Sequence, residues 1–408
     1  MRQDAERSAE RAAREAYGRL LALLASRSRD IAAAEDALAD AFLAALQQWP
    51  REGVPRSPEA WLLTTARRRL IDGQRRRQRQ EGAEPTLALL ERAVETQPEE
   101  APWPDRRLEL LFVCAHPAID ARVRTALMLQ VVLGLSAETI ASAMRVAPKT
   151  MGQRLWRAKN KTLEAGIAFE LPTRESLPER LDAVLDAIYA AYGSSWEDLN
   201  GDDASLRGLD EEALWLAALT TQLLPEEAEA RGLYALLLYA EARRAARRDP
   251  EGRFVPLSRQ NPKLYRQDLI AEAEAELKRA LPLGQLGPYQ LEAAIQSAHL
   301  EGRRRGTSDD AAIAQLYEGL VVLSPTLGAR VAHAAALAKV KGAAAGLDLL
   351  RALPSHKEDY QPYWVLYAEL QQQLGEGVDA RRALERALGL SEDAAIRRFL
   401  LEKLASTS

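Results

Sequence analysis

Six polar side chains suited to contacting DNA lie close together on one predicted helix. They are Lys149, Thr150, Gln153, Arg154, Arg157 and Lys161. In the same stretch Met151, Leu155 and Ala158 recur three and four residues apart, so they form a narrow apolar stripe along one side of the helix. The other faces carry cationic and amide groups that suit phosphates and base edges in a major groove. This pattern is typical of a DNA recognition helix, and an ordinary solvated basic helix is the alternative.

A shorter helix is predicted directly before this candidate recognition helix. Ser136 stands at an N-cap position, and Ile140, Ala141 and Met144 follow at the spacing of one apolar face. Pro148 suits the first turn of the second helix, because the N–H that proline lacks has no intrahelical partner there. The two elements together predict a helix-turn-helix.

A second basic helix is predicted to begin at Pro58, capped by Ser57. It starts with the apolar residues Trp61, Leu62 and Leu63 and finishes with a run of arginines in which Asp72 is the lone acid: Arg67, Arg68, Arg69, Arg75, Arg76, Arg77 and Arg79. So dense a block of one charge repels itself unless a polyanion lies alongside. A solvated helix tail is the alternative for this block, and a place in the core is the alternative for Trp61.

An acidic helix is predicted before it, over residues 34–50. Its apolar face would consist of Ala37, Leu38, Ala41, Phe42, Ala45 and Leu46. Glu35, Asp36 and Asp40 lie near its start, where the helix dipole favours negative charge. A connector rich in turn-forming residues is predicted from Pro50 to Pro58.

Apolar residues recur at helical spacing through almost all of the 408 residues, which predicts an all-α protein. Two small helical domains are expected over residues 1–80 and 106–170, joined by a proline-rich linker over 81–105. Residues 171–408 are predicted to form a separate helical domain. A period of about 34 residues in this last part predicts an α-solenoid of helix pairs, and an irregular helical bundle is the alternative.

The clearest copy of this period runs from Tyr363 to Glu392. Small Ala368 would let two helices approach closely, and Gly375 would end the first of them. The second helix would then pack through Ala380, Leu384 and Ala387. These small and large positions look like those of a tetratricopeptide repeat.

Charge and cysteine usage restrict the function further. The net charge is −4, but the first 170 residues are mildly basic and the remainder is acidic. This distribution favours a first part that faces nucleic acid, followed by an acidic part that does not. Cys114 is the only cysteine and has apolar neighbours, so we expect it to be a buried structural residue. No metal, cofactor or catalytic constellation is expected, and hence no enzyme. Without an apolar signal core or a membrane-length apolar run, the protein is expected to be cytoplasmic, with no membrane partner.

Three stretches in chain order carry a resemblance to a known family: AEDALADAFLAAL, AWLLTTARRRLIDGQRRR and LSAETIASAMRVAPKTMGQRLWRAKNK. They resemble the two DNA-binding domains of a bacterial RNA polymerase sigma factor of the extracytoplasmic-function class (group IV), which keeps only sigma domains 2 and 4. FVCAHPAI, ALLLYAEARRAAR and GPYQLEAAIQSAH are similar to a subgroup with a fused C-terminal tetratricopeptide-like helical extension.

The resemblance implies a role for each predicted element. Residues 1–80 would be sigma domain 2, and 106–170 would be sigma domain 4. Glu35, Asp36, Asp40 and Phe42 (the polymerase set) would dock on the clamp helices of the polymerase β′ subunit. On the helix that begins at Pro58, the residues that would melt and bind the −10 element (the −10 set) are Trp61, Thr64, Thr65, Arg67, Arg68, Asp72, Arg75 and Arg76. The six residues of the recognition helix (the −35 set) would bind the −35 major groove. Ala39 departs from the polar residue usual in the family.

The function that the resemblance implies is transcription initiation. The protein would bind core RNA polymerase through the β′ clamp helices and the β flap, and would direct it to promoter DNA. The C-terminal domain would be a fused regulatory module in contact with the sigma domains. The alternative is a helix-turn-helix regulator that senses a ligand or peptide through its repeats. A scaffold with merely solvated basic stretches is a third, less favoured class.

Overall fold

The computed structural model describes residues 16–81, 106–144, 146–173, 175–197, 208–391 and 393–406. Within these ranges the regular structure is helical, apart from one isolated antiparallel bridge between Arg248 and Phe254. The prediction of an all-α fold is confirmed. Residues 82–105 of the linker predicted over 81–105 lie outside the described part, and so do the side chains beyond Arg76 in the helix that begins at Pro58. None of the described helices is both long enough and apolar enough to cross a bilayer.

The chain divides into two compact units, one up to Leu219 and one from Thr220. The helices of the first unit are α1 (residues 16–28), α2 (Ile31–Glu52), α3 (Pro58–Glu81), α4 (Arg107–Cys114), α5 (Ala121–Val131), α6 (Ala137–Ala143), α7 (Pro148–Glu164), α8 (Leu177–Glu197) and α9 (Leu209–Leu223), within which the second unit begins.

Helices α1, α2 and α3 pack around one apolar core. Leu20, Leu38 and Leu62 each contribute a fully buried side chain to it. Asp30 begins α2 earlier than the spacing predicted, because its carboxylate accepts a hydrogen bond from the Ala33 N–H at 2.9 Å. Helix α2 also runs past Pro50 to Glu52, so the predicted connector is shorter than expected. The expectation that Leu46 belongs to the apolar face is wrong, since Leu46 is exposed.

The predicted helix-turn-helix corresponds to α6 and α7. The Ser136 hydroxyl accepts a hydrogen bond from the Thr139 N–H at 3.1 Å, as an N-cap should, and Pro148 is the first residue of α7. Met151, Leu155 and Ala158 are buried, which confirms the narrow stripe. Met144 was expected in the apolar face of α6 but is exposed, because α6 ends at Ala143 and Met144 is its C-cap.

Residues beyond 170 complete the core of the first unit. Helix α8 packs against α4 and α5 and buries Val184, Leu185 and Ile188. On α4, Arg107 is only 8% exposed, forms an ion pair with Glu212 and places its guanidinium carbon 4.0 Å from the ring centroid of Trp215. A cation held between a carboxylate and an indole ring connects α4 firmly to α9.

The second unit continues the chain as helices of similar length. They are α10 (Ala228–Ala242), α11 (Gln267–Ala280), α12 (Pro288–Arg305), α13 (Asp310–Leu323), α14 (Leu327–Lys341), α15 (Ala343–Arg351), α16 (Gln361–Gln373), α17 (Gly377–Gly389) and α18 (Ala394–Ser406).

These helices pack mainly on their neighbours in sequence, which is how stacked helix pairs build a core. Helices α16 and α17 form the pair that the clearest repeat copy predicted. They turn at Gly375, whose φ of 85° favours glycine. Ala368, Ala380, Leu384 and Ala387 are buried where the repeat pattern placed them.

Two arginines of the loop after α10 contact other residues of the same loop. Arg253 forms an ion pair with Asp249 at 2.6 Å, and Arg248 donates to the Gly252 carbonyl. Phe254 packs edge-on against Phe399 of α18, with ring centroids 5.7 Å apart. The last helix of the second unit therefore contacts the loop that follows its first complete helix, a contact that nearest-neighbour stacking does not require.

We predict that Arg107→Ala destabilises the first unit. Losing the guanidinium leaves Glu212 without this partner and removes the contact with Trp215, which costs about 1–3 kcal/mol. The measurement is the midpoint of urea unfolding, followed by far-ultraviolet circular dichroism. Arg122→Ala is the matched control, because Arg122 pairs with Asp120 on the surface. Equal midpoints for the two variants would contradict a structural role for Arg107.

Candidate nucleic-acid interface

Helix α7 presents nearly all of the −35 set to solvent. The exposed members are Lys149, Gln153, Arg154, Arg157 and Lys161, while Thr150 is half-buried. The predicted stripe and Thr162 are the buried residues of α7. One edge of the helix is thus fixed in the core, and the cationic faces are free of it.

A basic cleft lies beside α7. Arg154, Arg157 and Lys161 line one wall of a cleft of about 490 Å³, and Asp120 and Arg122, at the start of α5, line the other. Arg122 donates to Asp120 through its guanidinium at 2.8 Å and through its backbone N–H at 3.0 Å. These hydrogen bonds lower the pKa of Asp120 to about 2, so the carboxylate stays ionised at neutral pH. Four cations against one carboxylate leave the cleft positive, which suits an anionic backbone.

The −10 set divides along the length of α3. Its exposed members are Arg68, Asp72, Arg75 and Arg76, and its half-buried members are Trp61, Thr64, Thr65 and Arg67. Trp61 packs edge-on against Trp49, with ring centroids 5.5 Å apart. Burial, and to a smaller extent the like charge of Arg27, lower the pKa of Arg67 to about 10. The available positive charge is therefore concentrated towards the C-terminal end of α3.

The polymerase set on α2 also contains both exposed and sheltered side chains. Asp36 and Asp40 are exposed, and Phe42 is half-buried. Glu35 instead forms an ion pair with Lys159 of α7 and accepts a hydrogen bond from the Tyr17 hydroxyl at 3.4 Å. Burial and the neighbouring Glu35 raise the pKa of Tyr17, so it remains a donor at neutral pH. The structure thus brings one member of the polymerase set to the recognition helix.

Sequence reasoning missed three residues near this interface. Trp156 is 64% exposed on α7, and its position immediately after buried Leu155 places it off the apolar stripe, which was a usable signal. Arg122 lies on another helix, and Lys159 is sheltered by α2, so their places depend on how the helices pack.

No group of three or more histidine, cysteine or acidic residues in the described ranges has a geometry that could hold a metal ion. Cys114 is fully buried, as its apolar neighbours predicted, and burial raises the pKa of its thiol. A thiol held protonated in this way is a weak nucleophile and a poor metal ligand.

Family models match two parts of the chain. The family model "Sigma-70 region 2" matches residues 13–80, and a family of unknown function, DUF6596, matches residues 180–281. An uncharacterized protein of Rhizobium meliloti (strain 1021) is 36% identical over 386 residues, which cover 93% of this chain and 91% of the relative. No solved structure matches. The chain belongs to the same family as the Rhizobium protein, and its sigma-70 region 2 supports a sigma factor role in transcription initiation.

Proposed function

We propose that this protein is an RNA polymerase sigma factor of the extracytoplasmic-function class. It binds core polymerase, directs it to particular promoters and initiates transcription without making covalent bonds itself. The observation that carries this proposal is the presence of two basic helical surfaces in one chain, α3 within the region 2 match and α7 in a helix-turn-helix after it. A simple operator-binding protein needs only the second surface.

The −10 element is assigned to α3. Arg68, Arg75 and Arg76 are exposed along this helix and supply a positive track for a single strand. Thr64 and Thr65 add hydroxyl groups that hydrogen-bond to bases or phosphates. We keep Trp61 in the −10 set, although its contact with Trp49 favours a supporting role for the ring.

The −35 element is assigned to α7. Its single buried edge leaves the −35 set free to enter a major groove. The cleft between Arg154 and Arg122 adds a place for a backbone phosphate beside the groove.

Core polymerase is assigned mainly to the exposed side of α2. Asp36 and Asp40 lie there with Leu43 and Leu46, two exposed apolar residues. A mixed acidic and apolar surface suits a basic helical partner such as the β′ clamp helices. The β flap would contact the domain over residues 106–170.

The remaining domains complete the proposal. Residues 1–80 would be sigma domain 2, 81–105 a linker and 106–170 sigma domain 4. Residues 171–408 would be a tetratricopeptide-like regulatory module whose first helix, α8, packs on α4 and α5 of the first unit. The stacked helix pairs around Ala368 and Leu384 support this assignment. The alternative function is a helix-turn-helix regulator that senses a ligand or peptide through these repeats. The basic residues of α3 disfavour it, because an operator-binder gives them no partner.

The first test is binding to polymerase. We expect the purified full-length chain to co-elute with core RNA polymerase and to start transcripts from its own promoters with no other sigma factor present. The measurements are size-exclusion chromatography and in vitro transcription on genomic fragments. Retained duplex binding without polymerase binding would favour the ligand-sensing regulator instead.

The second test addresses the −35 set. Replacing Arg154 and Arg157 with alanine should weaken binding to an upstream promoter element, since each groove contact is worth about 1–3 kcal/mol. The salt dependence of binding should also become less steep, because fewer counterions are released. The measurement is fluorescence anisotropy over a range of salt concentrations.

Arg381→Ala is the matched control for that test. Arg381 is an exposed arginine on α17 that pairs only along its own helix in the contacts described, with Glu385. It should leave promoter affinity unchanged. Equal affinities for the double variant and this control would remove the assignment of the recognition face.

A further inference from the structure

A sheltered ion pair joins the polymerase-binding helix to the recognition helix. Glu35 on α2 and Lys159 on α7 are 124 residues apart in sequence, and their side chains are only 16% and 12% exposed. Water and salt screen such a pair less than a surface pair. The Tyr17 hydroxyl donates to the same carboxylate, so Glu35 has partners from both α1 and α7.

A tight backbone contact accompanies this ion pair. Gly18, within α1, lies so close to the turn after α5 that a Cβ at this position would be 1.8 Å from the carbonyl oxygen of Val132. The obstacle is backbone and cannot rotate away as a side chain would. Beside it the Tyr17 ring lies over Gly134, where a Cβ would be 3.0 Å from the ring.

Nothing within helix α1 itself requires a glycine at position 18. In a helix interior glycine is about 1 kcal/mol less favourable than alanine, because more backbone entropy is lost on folding. The absence of a Cβ is useful only while α1 lies against Val132. Glycine at position 18 therefore favours the close approach of α1 to Val132, although it disfavours the helix α1 itself.

We propose that this seam, formed by Tyr17, Gly18 and Glu35 on one side and Val132, Gly134 and Lys159 on the other, is an autoinhibitory latch. It holds the recognition helix against the start of α2 until core polymerase competes for that surface. The inference rests on the proposed sigma factor function. Glu35 belongs to the polymerase set, so while Lys159 holds it, Glu35 is not available to the β′ clamp helices.

The latch acts through the populations of two states. When only the open state binds polymerase, the observed affinity is reduced by the fraction of molecules that are open. A change that opens the seam without touching the polymerase set must therefore strengthen polymerase binding. Gly18 lies outside the polymerase, −10 and −35 sets and offers that change.

The test is Gly18→Ala in the full-length chain. The added methyl group clashes with Val132 in the closed state but favours α1 in the open state. We expect the affinity for core polymerase to rise about tenfold, as for a latch that is closed in roughly nine of ten molecules. Gly193→Ala is the matched control, because Gly193 lies inside α8 with no atom within 4 Å of a new Cβ. It should leave the affinity unchanged.

A second measurement shows directly whether the seam is open or closed. Fluorescent labels on cysteines replacing Ala39 on α2 and Leu163 on α7, both exposed, give a distance between the helices by energy transfer. The native Cys114, fully buried in the closed state, is replaced by alanine in every labelled chain so that only the introduced cysteines react. Transfer should be high in the parent and in Gly193→Ala, and low in Gly18→Ala.

If Gly18→Ala loses its helical circular dichroism signal, Lys159→Glu takes its place, since two carboxylates at the pair repel one another. It should open the seam and strengthen polymerase binding in the same way. A folded variant that stays closed, or one that opens but binds core polymerase no more tightly than the parent, overturns the latch. Failure of the parent and of every variant to bind core polymerase overturns the proposed function together with it.

Discussion

Helix α7 is attached to the first unit along a single edge. Met151, Leu155, Ala158 and Thr162 are its buried residues, and they lie on one narrow stripe. A helix fixed along so narrow a stripe must expose its remaining faces, and here these carry the cations. The same restriction places Lys159 at the border of the stripe, where it is within reach of α2. Both the basic surface and the contact between α7 and α2 depend on this packing.

Charge in the first unit is used in two different ways. Exposed arginines such as Arg68 and Arg76 on α3 and Arg154 on α7 keep their charges in water, where a polyanion can reach them. Sheltered charges such as Arg107 and Lys159 are paired with Glu212 and Glu35 and hold helices together. Pairing is necessary in these places because a charge removed from water without a partner is strongly destabilising. The role of a basic residue in the first unit therefore depends on whether its side chain is exposed or sheltered.

The second unit shows a simpler physical organisation. Each helix buries apolar residues against its neighbours in sequence, as in the cluster of Val331, Leu347, Leu350 and Leu366. The contact of Phe254 with Phe399 adds a long-range tie to this local stacking. Two arginines in the loop after α10 support that loop: Arg253 pairs with Asp249, and Arg248 donates to the Gly252 carbonyl.

The helix-turn-helix, its Ser136 cap and the narrow stripe of α7 could be predicted from the sequence, because they depend on residues a few positions apart. Ser136 and Pro148 behave as their types require wherever they begin a helix. Only the tertiary structure decided that Glu35 meets Lys159, that Trp61 meets Trp49 and that Gly18 lies against Val132. These contacts join residues distant in sequence, and helical periodicity specifies which face is apolar without specifying which helix covers it.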